Sequence, residues 1–136
     1  MAKRYLVLCT GNRCRSQMAH GWLAKLMPDT EIFSAGTQPK GVHPTAIEVM
    51  AEAGIDIADH TSDHVDRYAG GSFDAVITVC DAAKGACPVF PGAKRTIHQS
   101  FDDPDGKAIG EFRRVRDDIA VWAKAFAAGE RGQVTA

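Results

Sequence analysis

The sequence predicts a four-stranded, open, parallel α/β sheet flanked by helices on both faces, formed as one domain over residues 1–136. Short apolar runs typical of buried strands alternate with segments whose apolar residues recur at helical spacing, and this alternation favours a parallel sheet. The length of 136 residues corresponds to one compact domain. No tract rich in Pro, Gly or Ser divides the chain.

Four short apolar runs are the expected strands. They are residues 5–8, 31–34, 75–79 and 95–98. Parallel strands need long crossover connections, and the helical segments between the runs supply them.

Three helical segments are expected. Ser16 is a typical N-terminal cap for the first, which should run to about Met27, just before Pro28. Pro44 and Gly54 bracket the second.

The last helix has the clearest pattern, an apolar stripe at steps of three and four positions, with Gly129 as its expected end. The stripe comprises Phe112, Val115, Ile119, Trp122 and Phe126. Such a stripe is typical of a helix packed on the core.

Composition narrows the function classes. Sixteen Lys and Arg against seventeen Asp and Glu give a formal net charge of −1, whereas nucleic-acid-binding proteins usually carry a basic excess. The apolar runs are far shorter than the about 20 residues of a membrane span, and the first is too short for a signal peptide. We therefore expect a cytoplasmic protein whose four cysteines are reduced at rest. No heptad pattern indicates more than a monomer.

Residues 9–16, Cys-Thr-Gly-Asn-Arg-Cys-Arg-Ser, join the first expected strand to the first helix, and we call them the oxyanion loop. Backbone N–H groups of such a loop and of a helix N-terminus converge on one point and favour an anion there. Arg15 adds a planar guanidinium that can bind two oxygens of a tetrahedral oxyanion. Gly11 and Asn12 tolerate the positive φ that a tight loop needs. The expected binding residues are Thr10, Gly11, Asn12, Arg13, Cys14, Arg15 and Ser16.

Cys9 is the candidate nucleophile. A field that binds an anion also stabilises a thiolate, so we expect the pKa of Cys9 to fall from about 8.5 into the range of about 3.5 to 7.5. Ser16 could donate a hydrogen bond to that thiolate. The alternative is a buried strand-end cysteine beside a surface arginine. Cys14 is expected to pack in the core, and Arg13 either extends the positive field or points to solvent.

A second cysteine pair follows the third expected strand. The carboxyl ends of parallel strands share one sheet edge, so Cys80 and Cys9 could lie on the same side. A helical connection would hold Cys80 and Cys87 about 10 Å apart, whereas a disulfide needs Cα atoms within about 7 Å. The interpretations are thiol exchange with Cys9, two buried apolar cysteines, or a metal or metalloid site with His98.

Residues 101–106, Phe-Asp-Asp-Pro-Asp-Gly, follow the fourth expected strand. A carboxyl group there could act as general acid on an oxygen that leaves the oxyanion loop. Asp, Pro and Gly are also ordinary turn residues, so composition alone is consistent with a plain acidic turn.

Taken together, the motifs resemble the thioredoxin-coupled arsenate reductases, which share the fold of the low-molecular-weight protein tyrosine phosphatases. The resemblance covers nearly the whole chain, in order and with similar gaps. The motifs are Cys-Thr-Gly-Asn-Arg-Cys-Arg-Ser-Gln-Met-Ala (9–19), Phe-Ser-Ala-Gly (33–36), His-Thr-Ser-Asp (60–63), Val-Cys-Asp-Ala-Ala (79–83), Cys-Pro (87–88), Phe-Asp-Asp-Pro (101–104) and Phe-Arg-Arg-Val-Arg-Asp (112–117).

The resemblance implies reduction of arsenate to arsenite, for arsenic detoxification, with a weak phosphatase side activity. It implies that Cys9 attacks arsenate and that Asp103 protonates the leaving oxygen. Cys80 would then attack Cys9 and release arsenite, and Cys87 would attack Cys80. Thioredoxin would reduce the resulting Cys80–Cys87 disulfide, with no tightly bound cofactor.

Some members of this family bind potassium beside the loop. Asn12, Ser34 and Asp63 match that pattern, but His20 stands where the family has Glu, and imidazole is a poor potassium ligand. Arg13 stands where a small Ser is usual.

A phosphatase acting on phosphotyrosine is the main alternative, because the loop suits any tetrahedral oxyanion. Phosphatase relatives usually place Tyr or Phe shortly after the Asp-Pro pair, whereas Asp105 and Gly106 follow in this chain. A phosphatase would also leave the second cysteine pair unexplained.

Overall fold

The computed structural model describes residues 2–80 and 90–135, with side chains as far as residue 130. Four parallel strands form one sheet in the order β2–β1–β3–β4, which confirms the expected fold class. The strands are β1 (Arg4–Cys9), β2 (Glu31–Gly36), β3 (Ala75–Thr78) and β4 (Thr96–His98).

The helices are α1 (Arg15–Leu26), α2 (Pro44–Glu52) and α3 (Ile109–Thr135), with a short 3₁₀ helix at Val65–Tyr68. Two expected helix boundaries were wrong. Cys14 is the N-cap residue of α1, so Ser16 lies inside the first turn, where its Oγ accepts a hydrogen bond from Asn12. Gly129 does not end α3, because it takes no positive φ and its helical backbone continues.

The central strand β1 ends at the first residue of the oxyanion loop, so the loop lies at the carboxyl edge of the sheet. Cys9 ends β1 opposite Gly36, the last residue of β2. On the other side of β1, Leu8 pairs with Thr78, the last residue of β3, and Cys80 follows two positions later. Cys9 and Cys80 therefore share this edge, as the strand ends predict.

Both faces of the sheet are covered. Tyr5 of β1 meets Phe126 of α3 edge-on, with ring centroids 5.6 Å apart. Phe33, on the opposite face by strand alternation, packs against Tyr68 and Phe73. The apolar stripe of α3 is buried at Phe112, Val115 and Ile119 and only partly buried at Trp122 and Phe126. No helix among the described residues is long and apolar enough to cross a membrane.

Gly36 lets β2 pass close to the oxyanion loop. A Cβ at this position would lie 2.5 Å from the carbonyl oxygen of Thr10 and 2.9 Å from the amide nitrogen of Asn12. Both are backbone atoms and cannot rotate away, so the loop itself would have to move.

We predict that Gly36→Ala lowers the free energy of unfolding by about 3 kcal/mol, since the new methyl group overlaps backbone. Urea denaturation measures this loss. Gly110→Ala is the matched control, because a Cβ there meets nothing within 4 Å in the first turn of α3. Equal stability of the Gly36→Ala variant and the control would refute the close packing of β2 on the loop.

Candidate active site

Four consecutive carbonyl groups of the oxyanion loop accept hydrogen bonds from outside the loop. The acceptor and donor pairs are Thr10 O with Gln38 N (2.8 Å), Gly11 O with Lys40 N (2.9 Å), Asn12 O with Ser62 Oγ (2.9 Å) and Gln17 Nε2 (3.1 Å), and Arg13 O with His43 N (3.1 Å). In a trans peptide the N–H points opposite to the C=O. Because these carbonyls point out of the loop toward their donors, the amides of residues 11–14 point toward the inside of the loop.

Asn12 fixes the turn at the bottom of the loop. It has a φ of 46°, the left-handed region that Asn tolerates, whereas Gly11, expected to share this role, has no positive φ. The Asn12 side chain donates to Ser16 Oγ at 2.8 Å and accepts from the Asp63 amide at 3.0 Å. Gln17, which the sequence did not single out, bridges Asn12 to Thr61.

Arg15 begins α1 and faces the acidic turn. Its guanidinium donates to the carbonyl oxygen of Phe101 at 3.2 Å, and Nη2 lies 3.4 Å from Asp103 Oδ2. The buried Nε has no hydrogen-bond partner among the described residues. An unsatisfied buried N–H on a cation is costly, and an oxyanion oxygen would satisfy it.

Cys9 is only 3% exposed and its thiol is hydrogen-bonded to that of Cys80. Thr10 Oγ1 also lies 3.5 Å from Cys80 Sγ. The hydrogen bond with Cys80 and burial raise the pKa of Cys9, while Arg15 and the Gly11 amide lower it. The expectation of a strongly lowered pKa was therefore wrong for this arrangement, because a long-range thiol contact opposes the loop.

Cys14 behaves as a packing residue. It is 3% exposed, and burial raises the pKa of its thiol to about 12, with smaller contributions from Asp105 and Asp103. The thiol therefore stays protonated near neutral pH. Cys87, the other expected redox cysteine, lies outside the described residues.

A cleft of about 300 Å³ opens above the loop, and the expected site residues that line it include Cys9, Arg13, Arg15 and Asp103. Two further lining residues, Lys40 and Asp105, were missed as functional candidates. Lys40 adds a third cation to the mouth of the cleft, from a segment that joins β2 to α2. Nothing in its local sequence marks it, since its position depends on the backbone hydrogen bond to Gly11.

The residues at the candidate potassium site do not fit a potassium ion. His20 Nδ1 is hydrogen-bonded to Ser34 Oγ at 2.9 Å, and its ring stacks on His60 with centroids 4.2 Å apart. Each Asp63 carboxylate oxygen already accepts a hydrogen bond, one from Arg67 and one from Thr61. An imidazole replaces an oxygen ligand, and hard cations prefer oxygen.

Within the described ranges, no group of three or more His, Cys, Asp and Glu residues is arranged to hold a metal ion. Nδ1 of His98 instead lies 2.7 Å from Thr78 Oγ1, in the adjacent strand.

Comparison of the sequence and fold with known proteins shows which family the chain belongs to. The family described as low molecular weight phosphotyrosine protein phosphatase matches residues 4–133. The chain belongs to this family. Arsenate reductase 2 of Staphylococcus haemolyticus (strain JCSC1435) is 45% identical over 125 residues, which cover 91% of this chain and 95% of that relative.

Solved structures superpose on this chain over most of its length. One, described as an arsenate reductase in the phosphate binding state, superposes with a TM-score of 0.85 at 33% identity. It covers 93% of this chain and 98% of its own. A tyrosine phosphatase of Erwinia amylovora has a TM-score of 0.80 at 23% identity, over 95% of this chain and 93% of its own, and shares the fold.

The lowered pKa of His20 predicts that the stability of the protein depends on pH. Burial, and to a smaller extent the neighbouring His60, lower the pKa of His20 from 6.5 to about 3. As pH falls below 6.5, the unfolded chain binds a proton at this position before the folded protein does. The free energy of unfolding therefore decreases between about pH 6.5 and pH 3.

We expect His20→Gln to remove this dependence. Relative to its value at pH 7.5, the unfolding free energy at pH 4.5 should fall by roughly 2–3 kcal/mol more in the original protein than in the variant. Urea denaturation at the two pH values gives both differences. Parallel pH profiles would show that His20 is not held neutral by the fold.

Proposed function

We propose that the protein reduces arsenate to arsenite through thiol–disulfide exchange from Cys9 to Cys80 to Cys87, with thioredoxin as the reductant. The contact between the Cys9 and Cys80 thiols at the base of the oxyanion loop carries the proposal. A phosphatase needs the nucleophile, the loop and an acid but has no use for a second thiol there. The 45% identity to an arsenate reductase supports the same substrate.

The first step is attack on arsenic by the Cys9 thiolate. A sulfur–arsenic bond forms, the bond from arsenic to one arsenate hydroxyl breaks, and that hydroxyl leaves as water after taking a proton from Asp103. The inward amides of the loop and Arg15 bind the remaining oxygens and their charge. The step needs the Cys9 thiolate, whose formation is opposed by the hydrogen bond with Cys80 and by burial, which raise the pKa of Cys9, and favoured by Arg15 and the Gly11 amide, which lower it.

The second and third steps move two electrons. The Cys80 thiolate attacks Cys9 sulfur, a disulfide forms, and the sulfur–arsenic electron pair stays on arsenic, which leaves as arsenite. Cys87 then attacks Cys80, releasing Cys9 as a thiolate and forming a Cys80–Cys87 disulfide. Thioredoxin reduces this disulfide by the same chemistry and becomes oxidised.

We place this activity in the cytosol, where a reduced thiol pool supports it. The protein acts as a monomer, with residues 1–136 as one catalytic domain and no tightly bound cofactor. Cleavage of phosphate esters is a weak side activity, since Cys9, Arg15 and Asp103 are sufficient for it.

The test of the cysteine sequence is arsenate-dependent NADPH oxidation with thioredoxin and thioredoxin reductase. The original protein should turn over continuously. Cys9→Ser and Cys80→Ser should release no arsenite, whereas Cys87→Ser should release one equivalent per protein and stop. Aryl phosphate cleavage is the internal control, and we expect Cys80→Ser to retain it while Cys9→Ser loses it. Strong aryl phosphate cleavage without arsenate turnover would make the protein a phosphatase.

The general acid is tested by Asp103→Asn against Asp102→Asn. Loss of the proton donor should slow arsenite formation about a hundredfold or more, without weakening arsenate binding, because a negative charge leaves the cleft. Asp102 is the matched control, since it is an exposed carboxylate in the same turn that pairs with Arg114 at 3.0 Å. Equal rates for the two variants would remove Asp103 from the mechanism.

A further inference from the structure

Asp105 connects three segments that are distant in the sequence. Its Oδ2 accepts a hydrogen bond from Arg13 Nε at 3.2 Å, and its Oδ1 lies 3.4 Å from His43 Nε2. Arg13 belongs to the oxyanion loop and His43 caps α2, so one carboxylate joins both to the acidic turn. We call Arg13, His43 and Asp105 the clamp.

The histidine of the clamp is a fixed donor. His43 Nδ1 accepts a hydrogen bond from the Thr45 amide at 3.0 Å, so the neutral ring carries its proton on Nε2, the atom that faces Asp105. The ring also packs on Phe112, with centroids 4.8 Å apart. His43 therefore points at Asp105 without needing a positive charge.

The arginine of the clamp is fixed as well. Arg13 Nη1 donates to the carbonyl oxygens of Lys40 at 3.4 Å and Gly41 at 3.3 Å. The backbone oxygen of Arg13 accepts from the His43 amide at 3.1 Å. Arg13 is therefore hydrogen-bonded at its backbone and at its guanidinium, and these bonds orient it toward Asp105.

The clamp acts on the general acid through one backbone group. The Asp105 amide donates to Asp103 Oδ1 at 3.0 Å, and Asp103 Oδ2 is left 3.4 Å from Arg15 Nη2, at the mouth of the loop. Whatever fixes Asp105 therefore also sets the direction of the Asp103 carboxyl group. The Asp103 side chain is 52% exposed, so little other packing restrains it.

We propose that Arg13, His43 and Asp105 are positioning residues that hold Asp103 over the leaving oxygen of the bound oxyanion. The proposal rests on the proposed function, in which Asp103 is the general acid. Asp105 has a second effect, because its charge offsets that of Arg13 beside the cleft. Geometry and charge thus make different contributions to rate and to oxyanion affinity.

These contributions separate in two single variants. Asp105→Asn and Arg13→Ser both break the ion pair, so each should lower the limiting rate of arsenite formation about two- to fivefold, as expected for a half-exposed pair. Their effects on half-saturating arsenate concentration should be opposite. Asp105→Asn lowers it because the cleft becomes more positive, and Arg13→Ser raises it because a cation is lost.

The experiment is single-turnover arsenite formation by the pre-reduced protein over a series of arsenate concentrations. The double variant Arg13→Ser/Asp105→Asn should be slowed by less than the product of the two single-variant factors, because the Arg13–Asp105 ion pair is lost in all three variants. Glu31→Gln is the control. Glu31 is an exposed carboxylate 3.7 Å from Arg4 Nη1 at the opposite, amino edge of the sheet, so its loss should change neither quantity.

Urea denaturation of each variant checks that the fold is intact. Unchanged limiting rates, losses that add in the double variant, or half-saturating concentrations that shift in the same direction would each overturn the clamp while leaving the reductase in place. If the original protein forms no arsenite, the proposed function fails, and the positioning role fails with it.

Discussion

The site depends on how the carbonyl groups of one short loop are satisfied. Four consecutive carbonyls are held outward by partners from residues 17, 38–43 and 62, and this leaves four amides directed inward. An inward ring of N–H groups is unfavourable by itself, because the dipoles repel one another and lose water. The arrangement is stable only because its outer hydrogen bonds are made and because an anionic group can occupy its centre.

That constraint explains the surroundings of the loop. The Cys9 thiolate, when it forms, the Asp103 carboxylate and a bound oxyanion are three negative groups that the same positive region can stabilise. Arg15 contacts the acidic turn in this structure and retains a buried Nε without a described partner. In the proposed function these groups compete for the same positive region, and the Cys9 thiolate attacks an oxyanion that the loop has bound.

Local sequence patterns predicted the elements that depend on local physics. The strand, Gly-Asn turn and helix around residues 9–26 follow from an apolar run, turn residues and helical periodicity, and so does the stripe of α3. The errors have local explanations too. Gly129 adopts a helical φ at a modest cost in free energy, so a glycine alone does not end a helix, and Cys14 rather than Ser16 provides the cap position.

Features that depend on tertiary contact were not predictable in this way. The pKa of Cys9 is raised by a thiol 71 positions away along the chain, and no motif around Cys9 carries that information. Lys40 and His43 enter the site because their backbone amides bond to carbonyls of the oxyanion loop, and Asp105 enters because its side chain binds Arg13. Their residue types are ordinary for turns, so only the folded arrangement distinguishes them.

The sequence distances across the loop also have a consequence for folding. Gly11 binds Lys40, Asn12 binds Asp63, and Arg13 binds Asp105 across 92 positions, so the loop acquires its shape only when most of the chain is in place. Contacts between residues so far apart in the sequence form late in folding. Any oxyanion that fits the loop therefore binds the folded state alone and stabilises the whole molecule in proportion to the logarithm of its concentration. Phosphate is an oxyanion of this kind, so in a cell rich in phosphate its binding would stabilise the folded protein before arsenate binds.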